Sequence, residues 1–331
     1  MSHPPRAADA AARPGLCDRV RAGAAAVMAR ARSIEIDPDA LDALAARFEP
    51  DAPPATLDPA HHFVGEPPDV LAFVLTLDAV NFGSGWFPQL AKRPGLSGYF
   101  TIATALKERF ERDGPWSAAA LTHVTPERCA ELFGQDMDRP GPAELMTLFA
   151  RAWNQLGHFL QARYAGRFAG PLAEAGGDAE RIAEILTEMP FYQDVARYDE
   201  LEVPFYKRAQ ITVADLAAAE IGEQKSRLHG LERLTIFADN LVPHVLRMEG
   251  VLRYAPALAA AIDRGDPIPA GSPEEVEIRA AGVAAVERMV ARLSARGVAT
   301  HAAALDSWLW QRGQSPAIKA RPRHRTRTVY Y

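Results

Sequence analysis

The stretch PAELMTLFARAWNQLGHFLQARYAGRF, residues 142–168, indicates the fold class more clearly than any other part of the chain. Apolar residues recur in it every three or four positions: Leu145, Leu148, Ala152, Leu156 and Leu160. Trp153 lies beside this stripe. The spacing predicts an amphipathic α-helix. Because such a helix buries its apolar stripe against other elements, the rest of the chain should supply partners for it.

Helical spacing recurs along most of the chain. Helices are predicted from Leu16 onward, from Pro38, and over 99–112, 126–133, 179–187, 203–220, 231–249, 274–295 and 302–310. The segment 73–80 fits either a helix or a buried strand, and we favour the helix. Asp37 should cap the helix that follows it, and the helix 231–249 should kink or break at Pro243. Strand signals are few and short, the best of them at 328–331.

The domain organisation follows from the composition along the chain. Residues 1–14 are rich in Ala, Pro and Arg and are predicted to be a flexible N-terminal tail. Residues 15–331 contain no internal repeat and no low-complexity linker. They are therefore predicted to form one globular, all-α or nearly all-α catalytic domain.

Composition narrows the class of protein. The chain has 331 residues, enough for a substantial core, with 48% hydrophobic and 24% charged residues. Its net charge of -5 argues against a duplex nucleic-acid binder, so no stable nucleic-acid binding is expected. No apolar run approaches the ~18 residues that a membrane span needs. The two cysteines are far apart and form no CxxC, which favours a reducing cytoplasm.

The common catalytic motifs are missing from the sequence. It contains no GxGxxG, no GxxxxGK[ST], no HExxH and no GxSxG. His61 and His62 are adjacent, but neighbouring residues on a helix point about 100° apart and rarely bind one ion. We therefore expect neither a metal ion nor an organic cofactor.

Six segments of the sequence carry a resemblance to a known family. They are LDAVNF at 77–82 with Trp86, GYF at 98–100, PFYKRAQI at 204–211, LTIFADNLVP at 234–243 running on to GVLRY at 250–254, EVEIRA at 275–280 with LDSWLW at 305–310, and HRTRTVYY at 324–331. In this order they resemble the queuosine-salvage family, the queuosine 5′-phosphate N-glycosidases. PFYKRAQI and HRTRTVYY are the most specific, and the matched region spans residues 60–331.

The resemblance implies a fold and an activity. It implies a helical fold similar to helix-hairpin-helix DNA glycosylases. It also implies that the substrate is a small nucleotide, queuosine 5′-phosphate, which is hydrolysed to queuine and ribose 5-phosphate without a metal or redox cofactor.

Asp239 is the candidate for the central catalytic carboxylate. Breaking an N-glycosidic bond develops positive charge on the sugar, and a carboxylate beneath the anomeric carbon stabilises that charge. Asp239 is expected on an otherwise apolar helix, between Phe237 and Leu241, where burial strengthens its electrostatic effect. The competing interpretation is an aspartate that caps a helix or forms a salt bridge.

Lys207 and Asp306 are the candidates that should act with Asp239. Queuine is a 7-deazapurine, so it has no N7 to protonate, and hydrogen bonds to the rest of the base become more important. Asp306 could bind the guanine-like edge or the ammonium of the cyclopentenediol arm, unless it merely starts a helix. Lys207 could hold the 5′-phosphate or position Asp239, unless it is a solvated lysine.

The remaining candidates are substrate contacts. The basic tail offers Arg325, beside Arg323 and Arg327, as a phosphate ligand, or else the tail packs as a clasp. The resemblance implies that Phe237 stacks on the base, with core packing as the alternative. It also implies base or pocket contacts for these residues: His61 or His62, Asn81, Trp310 and Tyr331.

Two other functions remain open at this point. A base-excision glycosylase of the same fold would act on polynucleotides, which the acidic balance disfavours. A non-catalytic binder of a modified nucleoside or base would need no catalytic carboxylate. The sequence favours the enzyme, because a buried carboxylate beside a lysine is more than base recognition requires.

Overall fold

The structure is a computed structural model that describes residues 14–50, 56–219 and 228–331. The predicted flexible tail, except for Pro14, lies outside the described residues. Helix accounts for 57% of the described residues and strand for 6%. The prediction of a nearly all-α protein is therefore confirmed for this part of the chain.

Fifteen α-helices lie in the described ranges. They are α1 (Leu16–Met28), α2 (Pro38–Ala45), α3 (Pro67–Asp78), α4 (Gly98–Asp113), α5 (Ala118–Leu121), α6 (Pro126–Phe133), α7 (Pro140–Tyr164), α8 (Gly170–Glu174), α9 (Ala179–Leu186), α10 (Lys207–Ala218), α11 (Val242–Met248), α12 (Pro256–Arg264), α13 (Pro273–Ala295), α14 (Ala302–Gly313) and α15 (Pro316–Lys319). Asp37 caps α2 as predicted, its side chain accepting a hydrogen bond from the Ala40 amide at 2.8 Å.

The apolar residues form one contiguous core. Helix α7 packs against α5 and α6, and α13 packs against α1, α2 and α11. Helix α3 runs through the middle of the molecule, and every residue from Val70 to Asp78 is buried. Because α3 is buried on all sides, its last residue, Asp78, is carried into the interior.

Four short strands form two antiparallel pairs. Strand β1 (Ile34–Ile36) pairs with β4 (Leu252–Tyr254), and β2 (Val195–Tyr198) pairs with β3 (Leu201–Pro204). The strand expected at 328–331 is not present. Residues 326–331 instead pack against residues 83–85. The Gly83 amide donates to the Tyr331 carbonyl oxygen at 3.0 Å, and a Cβ on Gly85 would lie 2.3 Å from the Thr326 carbonyl oxygen, so only glycine fits there.

Two helices are shorter in the structure than the sequence predicted. The expected helix 203–220 consists of β3 and α10, because Tyr206 adopts a left-handed conformation (φ 49°) that separates them. The expected helix 231–249 contains only a short 3-10 turn, Leu231–Arg233, and α11. Residues 234–241 between them are non-helical and mostly buried. A short apolar run that is buried on all sides shows no period, so its conformation cannot be assigned from spacing.

No helix in the ranges 14–50, 56–219 and 228–331 is both long and apolar enough to cross a bilayer.

Candidate active site

The segment 234–241, which we call the Asp239 loop, is held by three neighbouring elements. The Thr235 amide donates to Gln210 Oε1 of α10 at 2.8 Å, and the Phe237 amide donates to Asp306 Oδ1 of α14 at 2.9 Å. Asn240 Nδ2 donates to the Ser84 hydroxyl at 3.0 Å. Asp239 is the one residue of this loop that is only half-buried. The backbone of the loop is therefore held from three sides, and the side chain of Asp239 is its most accessible group.

A buried ion pair positions the Asp239 loop and Lys207 together. Arg279 binds Asp194 through two hydrogen bonds of 2.9 and 2.6 Å, and both side chains are almost completely buried. Arg279 Nε also donates to the carbonyl of Ala238, next to Asp239, at 2.9 Å. Asp194 Oδ2 accepts the amide of Lys207 at 3.0 Å. One planar bidentate pair thus fixes the backbone of both candidate catalytic residues.

The carboxylate of Asp239 caps α11. Its Oδ1 accepts hydrogen bonds from the amides of Leu241 at 2.7 Å and Val242 at 3.2 Å. The expectation that Asp239 lies within a helix is therefore wrong, because it precedes one. Its Oδ2 makes no hydrogen bond with any described residue. Capping and catalysis are compatible here, since one oxygen orients the carboxylate and leaves the other free.

Lys207 is the first residue of α10 and is 4% exposed. Its ammonium makes only long contacts, 3.4 Å to the carbonyl oxygen of Asn81 and 3.5 Å to Asn81 Oδ1. Burial lowers the pKa of Lys207, while the negative charges of Asp239 and Asp78 act in the opposite direction. The ammonium therefore lies among carboxylates without a close ion pair to either, so it can attract an incoming anionic group.

Asp306 lies in the second turn of α14 and does not start that helix, which His301 caps. Burial, together with the negative charge of Asp239, raises the pKa of Asp306 to about 8. Its carboxyl group is consequently protonated at neutral pH. A protonated carboxyl is a hydrogen-bond donor as well as an acceptor.

Two further carboxylates lie close by, and sequence reasoning did not select them. Asp78 ends α3, and its Oδ1 accepts a hydrogen bond from Asn81 Nδ2 at 2.9 Å. Asp215 lies two turns beyond Lys207 on α10. Burial raises the pKa of Asp78 to about 6, and burial together with the charge of Asp78 raises the pKa of Asp215 well above its usual range. Two features of the sequence could have identified them. Asp78 is a charged residue at the end of an apolar run, and Asp215 follows Lys207 by two helical turns.

We infer from the burial of several polar side chains that they border an internal recess. Tyr99, Asp215 and Arg323 are each surrounded by protein, yet each keeps some solvent-accessible surface. Side chains that are enclosed but accessible border an internal space. We call this space the recess, and its lining is completed by Asp239 and Asp306.

The groups around this space are close enough for their charges to interact. The negative charge of Asp239 acts on Arg323 and on Asp306, and the charge of Asp306 acts on Asp215. The charge of Asp215 acts in turn on Tyr99.

The C-terminal segment contributes Arg323 and not its neighbours. Within the described residues the side chain of Arg323 makes no hydrogen bond, and burial lowers its pKa while the negative charge of Asp239 acts in the opposite direction. Arg325 is exposed, with Nη1 3.8 Å from where a Cβ on Gly265 would lie. The hydroxyl of Tyr331 donates to Glu275 Oε1 at 2.8 Å in a buried contact. The structure therefore does not bring Arg325 or Tyr331 into the recess, and this terminus acts as a clasp apart from Arg323.

The aromatic candidates lie around the recess. His62 is connected to the recess through Tyr99, since its Nε2 lies 2.9 Å from the Tyr99 hydroxyl. His61 stacks on Phe100 at 4.3 Å between ring centroids, and Phe100 meets Trp310 edge-on at 6.3 Å. Trp310 lies four residues after Asp306, on the same face of α14.

Phe237 and Asn81 complete the placement of the sequence candidates. Phe237 is 7% exposed but is not part of the contiguous apolar core. Asn81 joins Asp78 to Lys207 through its amide group. Among the described residues, no group of three or more His, Cys, Asp or Glu is arranged to hold a metal ion.

Comparison with known proteins bears on the chemistry of this recess. Residues 61–331 match the sequence model of a family described as "Queuosine salvage protein". The chain is 38% identical to a protein of Sphaerobacter thermophilus, over 92% of this chain and 95% of that protein. It is 30% identical to a protein of Mus musculus (79% and 82% covered) and 31% identical to one of Dictyostelium discoideum (78% and 77% covered). All three relatives are named queuosine 5′-phosphate N-glycosylase/hydrolase.

Proposed function

The chain belongs to the queuosine salvage protein family, as its sequence predicted, and on that basis we propose that it hydrolyses the N-glycosidic bond of queuosine 5′-phosphate. The products are queuine and ribose 5-phosphate. The observation that carries the proposal is that Oδ2 of Asp239 accepts no hydrogen bond from a described residue, while the charge of Asp239 acts on two buried cations, Lys207 and Arg323.

The reaction breaks the bond between C1′ of the ribose and the base nitrogen. The electron pair leaves with the base, and positive charge develops on C1′ and the ring oxygen. Asp239 opposes that charge at close range in a site from which most water is excluded, where electrostatic stabilisation is strongest. Water then adds to C1′ and loses a proton, and the base nitrogen gains one.

Asp306 assists the departure of the base. Because a 7-deazapurine has no N7, the usual protonation site of a purine leaving group is absent. A protonated Asp306 can instead donate a hydrogen bond to an acceptor on the pyrimidine ring, which draws negative charge away from the breaking bond. Its Oδ1 is already oriented by the amide of Phe237.

The phosphate end of the recess is assigned to Arg323. The guanidinium is unpaired with any described residue, and a planar fork of donors suits a phosphate. Arg323 is close enough to Asp239 for their charges to interact, so one ribose 5′-phosphate can contact both groups. We therefore prefer Arg323 to Arg325 as the phosphate ligand.

The substrate preference tests this assignment. With queuosine, its 5′-phosphate and its 3′-phosphate as separate substrates, free queuine should appear fastest from the 5′-phosphate. Arg323→Met should lower kcat/KM for the 5′-phosphate roughly 30-fold, because a charged hydrogen bond is lost, and should affect the nucleoside little. Release of queuine is measured by mass spectrometry.

Arg325→Met is the matched comparison, since it removes the same group two positions away on the exposed side of the segment. If Arg325→Met abolished the preference and Arg323→Met kept it, the phosphate assignment would be reversed. If no substrate released queuine although the protein was folded, the proposed function would be wrong. Cleavage of intact polynucleotides would point to a base-excision glycosylase.

The role of Asp306 makes a prediction about pH. Wild-type kcat/KM should fall as pH rises through about 8, because the protonated form is lost there. Asp306→Asn keeps a donor that does not titrate, so its rate should be roughly tenfold lower at pH 7 and show no such fall. The measurement is kcat/KM between pH 6 and pH 9.5 for both proteins.

Stability provides an independent check on the same group. The folded state binds the Asp306 proton more tightly than the unfolded state, in which an aspartate titrates near 4. This group therefore makes wild-type stability decline from about pH 4 to about pH 8. Asp306→Asn removes that decline. A variant that retained both the decline and the falling kcat/KM would contradict the assignment of Asp306.

We also propose that residues 15–331 work as one catalytic domain whose helical packing is similar to that of helix-hairpin-helix DNA glycosylases. The contiguous apolar core supports the first statement, because it draws on helices from both ends of the chain. Since the recess takes side chains from α4, α10, the Asp239 loop, α14 and the C-terminal segment, no shorter part of the chain contains it complete.

A further inference from the structure

We propose that Arg279 is a positioning residue for the reaction and that the C-terminal segment, residues 323–331, completes the site in which its guanidinium is held. In this role Arg279 does not touch the substrate. It holds the backbone next to Asp239 and, through Asp194, the backbone of Lys207, so that these two groups keep a fixed separation. The inference rests on the proposed function, because it concerns how that reaction is supported.

The guanidinium of Arg279 joins two parts of the chain. Its Nε donates to the carbonyl oxygen of Ala238 at 2.9 Å, and its two Nη groups donate to the two carboxylate oxygens of Asp194 at 2.9 and 2.6 Å. All three donors belong to one rigid, planar group. A shift of the Asp239 loop relative to Asp194 would therefore break at least one of these bonds.

Asp194 determines how α10 begins. Its carbonyl oxygen accepts the amides of Phe205 at 2.9 Å and Tyr206 at 3.3 Å, and its Oδ2 accepts the amide of Lys207 at 3.0 Å. Tyr206 has a left-handed conformation (φ 49°), which is unfavourable for a residue with a side chain and has to be imposed by its surroundings. Three consecutive amides bound to one residue supply that constraint. The orientation in which Lys207 enters α10 thus depends on Asp194.

Two aromatic rings hold the guanidinium itself. The Cζ atom of Arg279 lies 4.0 Å from the ring centroid of Phe205 and 4.8 Å from that of Tyr331, and all three side chains are buried. Such contacts stabilise a cation that has been withdrawn from water. Phe205 precedes α10, whereas Tyr331 belongs to the C-terminal segment. The orientation of Arg279 therefore depends on both segments.

The hydroxyl of Tyr331 makes a second connection to Arg279. It donates to Glu275 Oε1 at 2.8 Å, and the same oxygen lies 3.7 Å from Arg279 Nη1. Glu275 and Arg279 are one turn apart on α13, so their side chains meet on one face of that helix. Loss of the hydroxyl alone would loosen Glu275 and leave the ring over the guanidinium.

The C-terminal segment is connected to the chain on both sides of Asp239. The carbonyl oxygen of His324 accepts a hydrogen bond from Asn240 Nδ2 at 3.2 Å. On the other side Tyr331 packs on Arg279, which binds the carbonyl of residue 238. The C-terminal segment therefore holds the position of the Asp239 carboxylate, directly at residue 240 and through Arg279 at residue 238.

Arg279→Lys tests the proposal. Lysine keeps a positive charge for Asp194, but its single nitrogen does not span both partners of the guanidinium. Because a displacement of about 1 Å at a reacting group can slow a reaction about 100-fold, we expect single-turnover release of queuine to slow roughly 30-fold. The half-saturating concentration of queuosine 5′-phosphate should change less than about threefold, since Arg279 makes no contact with the substrate.

The Asp239→Asn background separates positioning from a general loss of structure. In that background Arg279→Lys should slow release by about threefold or less, because the carboxylate that Arg279 positions has already lost its charge. A merely structural role predicts the same loss of roughly 30-fold in both backgrounds, and this result would overturn the proposal.

Arg109→Lys is the matched control. Arg109 is a buried arginine that donates to the carbonyl oxygen of Gly114 and lies over the ring of Trp116 at 4.2 Å. None of these partners belongs to the Asp239 loop or to α10. Its replacement should lower the temperature of unfolding and leave the single-turnover rate near that of the wild type.

Two variants of Tyr331 keep the test decisive if Arg279→Lys does not fold. Tyr331→Leu removes the ring and the hydroxyl and should slow release roughly tenfold, whereas Tyr331→Phe keeps the ring over Arg279 and should stay within about threefold of the wild type. A wild-type rate in Tyr331→Leu, or equal losses in Tyr331→Leu and Tyr331→Phe, would contradict the proposal. A folded wild-type protein that releases no queuine overturns the proposed function, while hydrolysis that these variants leave unchanged overturns only the positioning role.

Discussion

Replacing Asp239 by asparagine should lower kcat for queuosine 5′-phosphate roughly 1000-fold or more while substrate binding is largely retained. The substitution removes the negative charge that opposes the ribosyl cation, and such stabilisation is usually the largest contribution to a rate of this kind. An asparagine Oδ1 can still accept the amides of Leu241 and Val242, so the cap of α11 and the loop geometry should persist. Single-turnover rates, equilibrium binding and thermal unfolding are the measurements.

Asp37→Asn is the control for the capping role. Asp37 caps α2 in the same way but lies outside the recess, so its replacement should change stability slightly and leave kcat alone. A near-normal kcat in Asp239→Asn would exclude Asp239 as the catalytic carboxylate. Tight binding of the substrate by wild-type protein with no cleavage would favour the non-catalytic binder considered from the sequence.

Replacing Lys207 by methionine should lower kcat/KM roughly 100-fold, the second largest effect that we expect. The ammonium is the cation enclosed between Asp239 and the carboxylates of Asp78 and Asp215. Without it these negative charges repel one another and the anionic substrate loses an attractive charge in a region of low dielectric constant. Methionine is chosen because its length and apolar stem match those of the buried lysine. Kinetics and thermal unfolding are measured together.

The double variant separates a joint role from a purely structural one. If Lys207 acts through Asp239, then Asp239→Asn with Lys207→Met should be little slower than Asp239→Asn alone, because residues that act as a unit are non-additive. Lys92→Met, at an exposed lysine, is the control for loss of charge. Fully multiplicative losses would show that Lys207 contributes independently of Asp239, for example by holding the phosphate.

The helical class of the fold could be predicted because most helices present one apolar stripe. Helix α6 agrees with its predicted bounds at both ends, and α7 differs by a few residues. Spacing of this kind is a local property, so it survives without knowledge of the partner element. The family was likewise predictable, because the motifs PFYKRAQI and HRTRTVYY are characteristic of it.

The Asp239 loop shows where local reasoning fails. Residues 234–241 are apolar and almost wholly buried, so they have no polar face from which a period could be read. Their conformation depends on hydrogen bonds to Gln210 and Asp306, which are distant in sequence. The helix that was predicted there was wrong for this reason, although the choice of Asp239 itself stays a prediction.

The basic tail gives a second example. Burial alternates along 324–328, with Arg325 and Arg327 exposed, as expected of an extended chain. The sequence showed the charges but not which of them faces inward. That Arg323 is less exposed than Arg325 and Arg327, and close enough to interact with the charge of Asp239, is decided by the packing of the tail.

The sequence by itself determined the helical class, the family and the residue types available for chemistry. These depend on the local spacing of apolar residues and on short characteristic motifs. Only the tertiary structure decided which carboxylates meet. Asp78, Asp215, Asp239 and Asp306 come from four separate segments, and α3, α10 and α14 bring them around one lysine. The protonation state of each depends on burial and on its neighbours' charges. Both are properties of the packed protein, which no local stretch of sequence contains.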